Sequence, residues 1–105
     1  PEQALIARTA HGIAVVTGCS HPGIVNILAR VKTIFPAEPI ASILGGFHLR
    51  DTEVDAIESI ASQLIEMGVQ KICPTHCTGA KAQEIFKERF GVNYIPASVG
   101  GQIEI

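Results

Sequence analysis

The chain has 105 residues, of which 47% are apolar and 17% are charged, and its formal net charge is −2 at pH 7. It has no cluster of Lys and Arg and no apolar run near the ~20 residues of a membrane-spanning helix, which argues against a nucleic acid or a membrane as its partner. The length fits a single domain over residues 1–105. Ordinary domains have roughly 25% charged residues, so this chain is short of charge. The shortage predicts apolar surface that a second copy or a separate half of the protein covers.

The first predicted element is a β-hairpin. Two short apolar runs, Gln3 to Arg8 and Ile13 to Thr17, flank the segment Thr9-Ala10-His11-Gly12, in which Gly12 supplies the unusual dihedrals of a turn. His11 lies in that turn, at the opposite end of the second strand from Cys19. We therefore exclude His11 from any site that contains Cys19.

A helix and a buried strand are predicted next. Apolar residues recur with a helical period between Pro22 and Pro36. Pro22 is expected in the first turn of this helix, and Pro36 is expected to end it. Ile40 to Leu44 is an almost unbroken apolar stretch, typical of a strand buried on both faces, and Gly45-Gly46 lets the backbone turn after it.

A second helix is expected after a cap at Asp51 or Thr52, with Thr52 and Asp55 at the spacing of a capping box and Gly68 at its end. Its predicted core face consists of Val54, Ile57, Ile60, Ala61, Leu64 and Ile65. A third helix is expected between a cap at Thr78 and Gly91. Its predicted core face consists of Ala82, Ile85, Phe86 and Phe90.

Three further strands complete the expected fold. Val69 to Pro74 lies between the second and third helices, and Val92 to Ile95 and Gln102 to Ile105 follow the third helix, joined by a loop over 96–101. Right-handed β-α-β connections put the helices on a face of the sheet. The predicted fold class is α/β, a mixed sheet with three helices.

Three of the four histidines, His21, His48 and His76, stand where a predicted strand turns into a helix. Because the carboxyl ends of parallel strands share one edge, these imidazoles are expected to converge there with the thiols of Cys19 and Cys77. Imidazole and thiolate are good ligands for zinc and iron, and the free N–H groups at a helix start favour an anion. The pattern predicts a metal or phosphate site, although one such histidine alone is more often a partly exposed hydrogen-bonding residue.

The cysteines indicate a reducing compartment. Cys19, Cys73 and Cys77 are an odd number without a paired spacing pattern, and the amino end has neither a basic segment nor an apolar core typical of a signal peptide. We therefore expect a cytoplasmic protein in which Cys73, within a strand, packs as a small buried apolar residue.

Other motif interpretations fail on spacing. A cysteine phosphatase needs an arginine six residues after the cysteine, and Gln83 stands there relative to Cys77. Gly18-Cys19-Ser20-His21-Pro22 resembles a nucleophile elbow but lacks its closing glycine. Cys73-x-x-His76-Cys77 has no second ligand pair, which excludes a structural zinc knuckle.

The segments 15–26, 44–49 and 74–79, with the sequences VVTGCSHPGIVN, LGGFHL and PTHCTG, resemble the metallo-β-lactamase superfamily. More narrowly they resemble the metal-dependent hydrolases of β-lactamase superfamily II, in the branch similar to dihydropterin ribofuranosyl-aminobenzene phosphate synthase. Full-length members have an αβ/βα sandwich with a one- or two-metal site and act on small-molecule substrates.

The resemblance implies roles for particular residues. His76 matches the last metal ligand of the superfamily, and Cys19 or His21 is implied where many relatives carry a Gly-Asp pair that bridges the metals. The implied metal ligands are therefore His21, His76 and Cys19. The implied cofactor is a divalent metal ion, with zinc favoured and iron or manganese as the alternatives. His48, Ser20 and Thr78 are implied in substrate binding, and His48 is close enough in the pattern to contact substrate or metal.

One feature of the family is missing. No His-x-His-x-Asp-His motif, which supplies about half the ligands in full-length members, occurs in the 105 residues. The chain therefore resembles only the carboxy-terminal half of the fold, and we expect a metal-dependent hydrolase when that half is completed and no activity from the chain alone. The alternative is a non-catalytic, self-associating α/β module with an anion-binding edge at its helix termini.

Overall fold

The computed structural model describes residues 3–97, except for the side chain of His76. The strands are β1 (Ala4–Thr9), β2 (Gly12–Thr17), β3 (Ile40–Gly46) and β4 (Lys71–Thr75), and the helices are α1 (Ile24–Ile34), α2 (Val54–Glu66) and α3 (Ala80–Phe90). Two short 3-10 turns, His76–Thr78 and Gly91–Asn93, flank α3. The predicted strand Gln102 to Ile105 and most of the loop over 96–101 lie outside the described residues.

The described strands form one sheet in the order β1-β2-β3-β4. β1 and β2 are antiparallel, whereas β2, β3 and β4 are parallel to one another. The prediction of an α/β fold with a mixed sheet and three helices is confirmed. Because β2, β3 and β4 run in the same direction, the loops that follow them leave the sheet at one edge.

The two faces of the sheet differ in what covers them. Ile13, Val15, Ile43 and Ile72 share one face and are buried in a single apolar core with the inner sides of the helices. On the opposite face, Leu5 of β1 pairs in register with Val16 of β2, and these residues are 66% and 36% exposed. The described chain therefore leaves an apolar patch on this face, which we call the Leu5–Val16 patch.

The helices bury one stripe each, as amphipathic helices do. The buried residues are Ile24, Leu28 and Val31 of α1, Ile57, Ala61 and Leu64 of α2, and Ala82, Phe86 and Phe90 of α3. Val54 and Ile65 were predicted in the core face of α2 and are instead 45% and 44% exposed. At 100° per residue Ile65 lies about 80° around the helix from Ile57, and Val54 is in the first turn, so both fall at the margin of the stripe.

Two helix caps were predicted wrongly, although both helix ends were right. The N-cap of α2 is Glu53 and that of α3 is Gly79, and neither forms a side-chain capping bond. The Thr52 amide instead closes a turn onto the Leu49 carbonyl, which delays the start of α2. Gly68 and Gly91, with φ of 82° and 56°, follow the ends of α2 and α3 as expected.

The segment after α3 differs from its prediction. Val92 to Ile95 is not a strand, because Gly91–Asn93 form a 3-10 turn and Val92 is 97% exposed. Only Tyr94 makes a bridge, to Ile72, while the Tyr94 hydroxyl bonds the Gln83 side chain. The strand β4 begins at Lys71, whereas the prediction began it at Val69. The Val69 N–H still donates to the Leu64 carbonyl at the end of α2, so the strand starts later.

The longest described helix, α2, has 13 residues. None of the helices in residues 3–97 combines the length and the apolarity that crossing a bilayer requires.

Candidate functional site

The predicted site residues follow three parallel strands at one edge of the sheet. His21 comes after β2, His48 comes after β3, and the backbone of His76 begins the 3-10 turn after β4. His11 lies in the hairpin turn before β2, at the other end of that strand. The exclusion of His11 from this edge is confirmed.

Two of the predicted imidazoles are neighbours. The ring centroids of His21 and His48 lie 4.5 Å apart, with the rings almost perpendicular at 88°. Residues from two different loops thus present two nitrogen-donor side chains within one small region, which we call the His21–His48 pair. Such a pair suits a metal ion that prefers imidazole, or a substrate that needs two hydrogen-bonding groups.

The thiol of Cys77 lies beside the loop that carries Cys19. Its Sγ donates a hydrogen bond to the Cys19 carbonyl oxygen at 3.4 Å. Gly46 makes this approach possible, because a Cβ at that position would stand 2.7 Å from the Cys77 Sγ. The loops after β2 and β4 therefore meet over the end of β3. Cys73, by contrast, is only 1% exposed, and burial raises the pKa of its thiol, so its interpretation as an apolar core residue is confirmed.

Both loops that carry the His21–His48 pair contain a strained residue. Ser20 and His48 have φ of 62° and 55°, and they are the non-glycine residues with positive φ among residues 3–97. Such backbone costs on the order of 1–3 kcal/mol per residue and persists only where surrounding contacts hold it. The Ser20 and Thr17 hydroxyl oxygens lie 3.2 Å apart in a hydrogen bond, and the Gly23 amide donates to the Ser20 carbonyl.

Thr78 ties the loop after β3 to the loop after β4. It is fully buried, its hydroxyl donates to the Thr75 carbonyl at 2.8 Å, and it accepts from the Phe47 amide at 3.0 Å. This tertiary bond explains why Thr78 does not cap α3. The hydroxyls of Ser20 and Thr78 both have partners within the chain, and their roles in substrate binding stay predictions.

Replacing Thr78 with valine is expected to destabilise the fold by about 2–3 kcal/mol, because it leaves the buried Phe47 amide without an acceptor. Thr78→Ser keeps the hydroxyl and loses only a methyl group, for about 1 kcal/mol. Urea unfolding measures the stability of both variants. Hydrogen exchange at the Phe47 amide distinguishes them, because it should be fast in Thr78→Val and slow in Thr78→Ser. Fast exchange in both variants, or in neither, would contradict the assigned bond.

The predicted metal ligands are only partly brought together. No group of three or more His, Cys, Asp or Glu side chains within the described part of the chain is arranged to hold a metal ion. The side chain of His76 lies outside the described atoms, so the ligand set His21, His76 and Cys19 stays a prediction. The described donors are the imidazoles of the His21–His48 pair and the thiol of Cys77, which lines a cleft with His48. They fit zinc or iron by their chemistry and supply an incomplete set.

A cleft of about 280 Å³ extends from this edge towards the start of α2. His48, Arg50, Asp51, Thr52 and Cys77 line it. A second cleft, of about 350 Å³, is mostly apolar and lies between β1 and α1, and Pro22, which follows His21 in the chain, is among its lining residues. Arg50 is not among the residues predicted for the site, although a cation two residues after a junction histidine is a visible signal in the sequence.

No family model matches the chain. The chain is 42% identical over 89 residues to the 7,8-dihydropterin-6-methyl-4-(beta-D-ribofuranosyl)-aminobenzene-5'-phosphate synthase of Methanocaldococcus jannaschii, a match over 85% of this chain and 30% of that protein. An uncharacterized protein of the same organism is 38% identical over 73 residues, which are 70% of this chain and 27% of that protein.

The fold is also that of a solved protein. The crystal structure of a metal-dependent hydrolase of the β-lactamase superfamily matches with a TM-score of 0.92 and 42% sequence identity, over 98% of this chain and 40% of that chain. This chain therefore spans less than half the length of each of the three proteins.

Proposed function

By sequence and by fold the chain belongs to the metallo-β-lactamase superfamily, and on that premise we propose that it is part of a metal-dependent hydrolase, to which it contributes metal ligands and substrate-pocket loops. The observation that supports this most is the His21–His48 pair, with ring centroids 4.5 Å apart at the edge where three parallel strands end. Strain at Ser20 and His48 supports it further, because strained backbone concentrates at functional sites.

The proposed cofactor is a divalent metal ion, with zinc favoured and iron or manganese as the alternatives. His21 and His76 are its proposed ligands in this chain together with Cys19. His48, whose ring centroid lies 4.5 Å from that of His21, is proposed to bind the ion or the substrate. When bound, such an ion activates water and polarises a phosphoryl or carbonyl group. In the family that the chain resembles, an early His-x-His-x-Asp-His motif supplies about half the ligands of a one- or two-metal site, and we propose that a further segment supplies these ligands and the general base.

The proposed substrate is a small organic molecule. One relative is named as the synthase of an aminobenzene 5'-phosphate compound, which supports a substrate of that size and polarity. We expect no hydrolysis by the chain alone with zinc, iron or manganese added, and hydrolysis when the chain is joined to the segment that holds the missing ligands. Assays with a phosphodiester, a thioester and a lactone test the main substrate classes.

Zinc titration tests the metal site directly. The chain is expected to bind one zinc ion, and His21→Ala or His76→Ala is expected to weaken zinc binding at least about tenfold, because each removes a direct ligand. His11→Ala is the matched control, since His11 lies at the opposite end of β2, and it should bind zinc as the wild type does. Equal affinity in the His11 and His21 variants would refute the proposed site.

A second candidate is a non-catalytic module that associates with another copy of itself and binds an anion at its helix termini. The Leu5–Val16 patch favours it, since exposed apolar area costs about 25 cal/mol per Å². Sedimentation is expected to show dimers or larger species that Leu5→Lys dissociates, whereas Ile34→Lys, on the helix side, leaves them intact. A monodisperse wild-type monomer at high concentration would rule this candidate out. A cytoplasmic location, with thiols kept reduced, is part of both proposals.

A further inference from the structure

The loop between β3 and α2 is held rigidly where it borders the cleft. The Phe47 amide bonds the Thr78 hydroxyl, and the Leu49 amide bonds the Cys77 carbonyl at 3.1 Å. Leu49 itself is buried, and its carbonyl accepts the Thr52 amide. The backbone on both sides of Arg50 is therefore fixed by hydrogen bonds.

Arg50 is fixed by packing as well. Gly79, with φ of +86°, lies so close that a Cβ there would stand 2.7 Å from the Arg50 Cα. The backbone at Gly79, directly after the 3-10 turn, thus lies against the backbone of Arg50. A long side chain that starts from such a fixed point loses less freedom on binding than one on a mobile loop.

The guanidinium of Arg50 has no ion pair or hydrogen bond with the rest of the described chain. Arg8 and Arg89 differ, since they pair with Glu38 at 2.9 Å and with Glu58 at 3.2 Å. Arg50 is exposed and lines the 280 Å³ cleft that also contains His48 and Thr52. A cation without an internal partner, an imidazole and a hydroxyl thus border one polar space.

We propose that this cleft is an oxyanion subsite in which Arg50, assisted by His48 and Thr52, binds a phosphate-monoester group of the substrate. The inference rests on the proposed function, because it places this group beside the His21–His48 pair, where the reaction would occur. A guanidinium offers paired donors to the oxygens of a phosphate, and the imidazole and hydroxyl supply further donors. Asp51 also lines the cleft, and its carboxylate opposes an anion and limits the affinity.

Inorganic phosphate, titrated into the chain at pH 7 in EDTA, tests the subsite without any metal. Amide NMR signals of residues 48–52 should shift and saturate. Arg50→Met should weaken the binding about tenfold or more, the effect of losing a charged hydrogen-bond partner, and Arg50→Lys should recover part of it. Asp51→Asn should strengthen the binding about threefold, because a like charge is removed at short range. Arg30→Met is the matched control and should leave phosphate binding unchanged, because Arg30 lines the apolar cleft beside α1.

Saturation by phosphate with the same affinity in the wild type and Arg50→Met would overturn the proposal. Acetate at matched ionic strength should bind at least about fivefold more weakly, since it offers fewer acceptor oxygens, and equal binding of acetate would overturn the assignment to phosphate. Zinc binding is measured separately with His21→Ala. A zinc affinity that His21→Ala leaves unchanged, together with phosphate binding that depends on Arg50, would count against the metal site alone. Zinc binding that depends on His21, together with phosphate binding that Arg50→Met leaves unchanged, would count against the subsite alone.

Discussion

Gly45→Ala is expected to destabilise the protein by about 4 kcal/mol or more, a large part of the roughly 5–15 kcal/mol by which native domains are stable. Gly45 has φ of +137°, and a Cβ built there would stand 2.1 Å from the Thr17 carbonyl oxygen and 2.7 Å from the Thr17 Cγ2. A rotation of the Thr17 side chain can move its Cγ2, but it leaves the closer contact in place, because the carbonyl oxygen belongs to the backbone of β2. The strands must separate where they lead into the histidine loops.

Two other glycines serve as controls for this variant in urea unfolding. Gly68 has a positive φ of 82° with nothing within 4 Å, so Gly68→Ala should cost only about 1–2 kcal/mol for the backbone conformation. Gly18 has neither a positive φ nor a neighbour within 4 Å, and Gly18→Ala should change stability by less than about 0.5 kcal/mol. If Gly45→Ala were no less stable than Gly68→Ala, the close contact with Thr17 would be wrong.

Phe86→Ala is expected to cost about 3–5 kcal/mol, the usual effect of emptying a buried phenyl site. Phe86 is fully buried, and its ring meets that of Phe47 edge to face with centroids 5.4 Å apart. Phe47 directly precedes His48, so the cavity should also loosen the loop that carries this histidine. Broadened NMR signals of the His48 ring, together with urea unfolding, measure the two effects.

Matched variants separate the cavity from general sensitivity. Phe86→Leu fills most of the space and should cost clearly less than the alanine variant, about 1–2 kcal/mol. Val92→Ala removes an apolar side chain that is 97% exposed and should change stability by less than about 0.5 kcal/mol. A Phe86→Ala protein as stable as Val92→Ala would show that the phenyl ring is not part of a packed core.

The features that the sequence predicted well are those set by local pattern. The hairpin around Gly12, the apolar run of β3 and the ends of α2 and α3 at Gly68 and Gly91 each depend on a few adjacent residues. Parallel strand direction then put His21 and His48 at one edge without any knowledge of contacts.

The features that the sequence did not predict depend on distant groups. Thr78 was expected to cap α3, but the Phe47 amide, 31 positions earlier, takes its hydroxyl. The loops of the His21–His48 pair contain positive φ at Ser20 and His48, which residue type does not reveal. Arg50 was missed because the cleft beside it forms only when the 3-10 turn packs against the loop after β3.

The spatial order of the strands, β1-β2-β3-β4, repeats their order along the chain. Each strand after β1 therefore has a partner in the strand that the ribosome made just before it, and no strand pairing within residues 3–97 skips an intervening strand. Only the β1–β2 hairpin closes a short loop, whereas the parallel pairs join residues that are 28 and 29 positions apart, Val15 with Ile43 and Ile43 with Ile72. The hairpin is therefore expected to form before the parallel pairs. This piece of the fold is thus suited to assemble strand by strand during synthesis, with the histidine edge completed as soon as β4 and its 3-10 turn emerge.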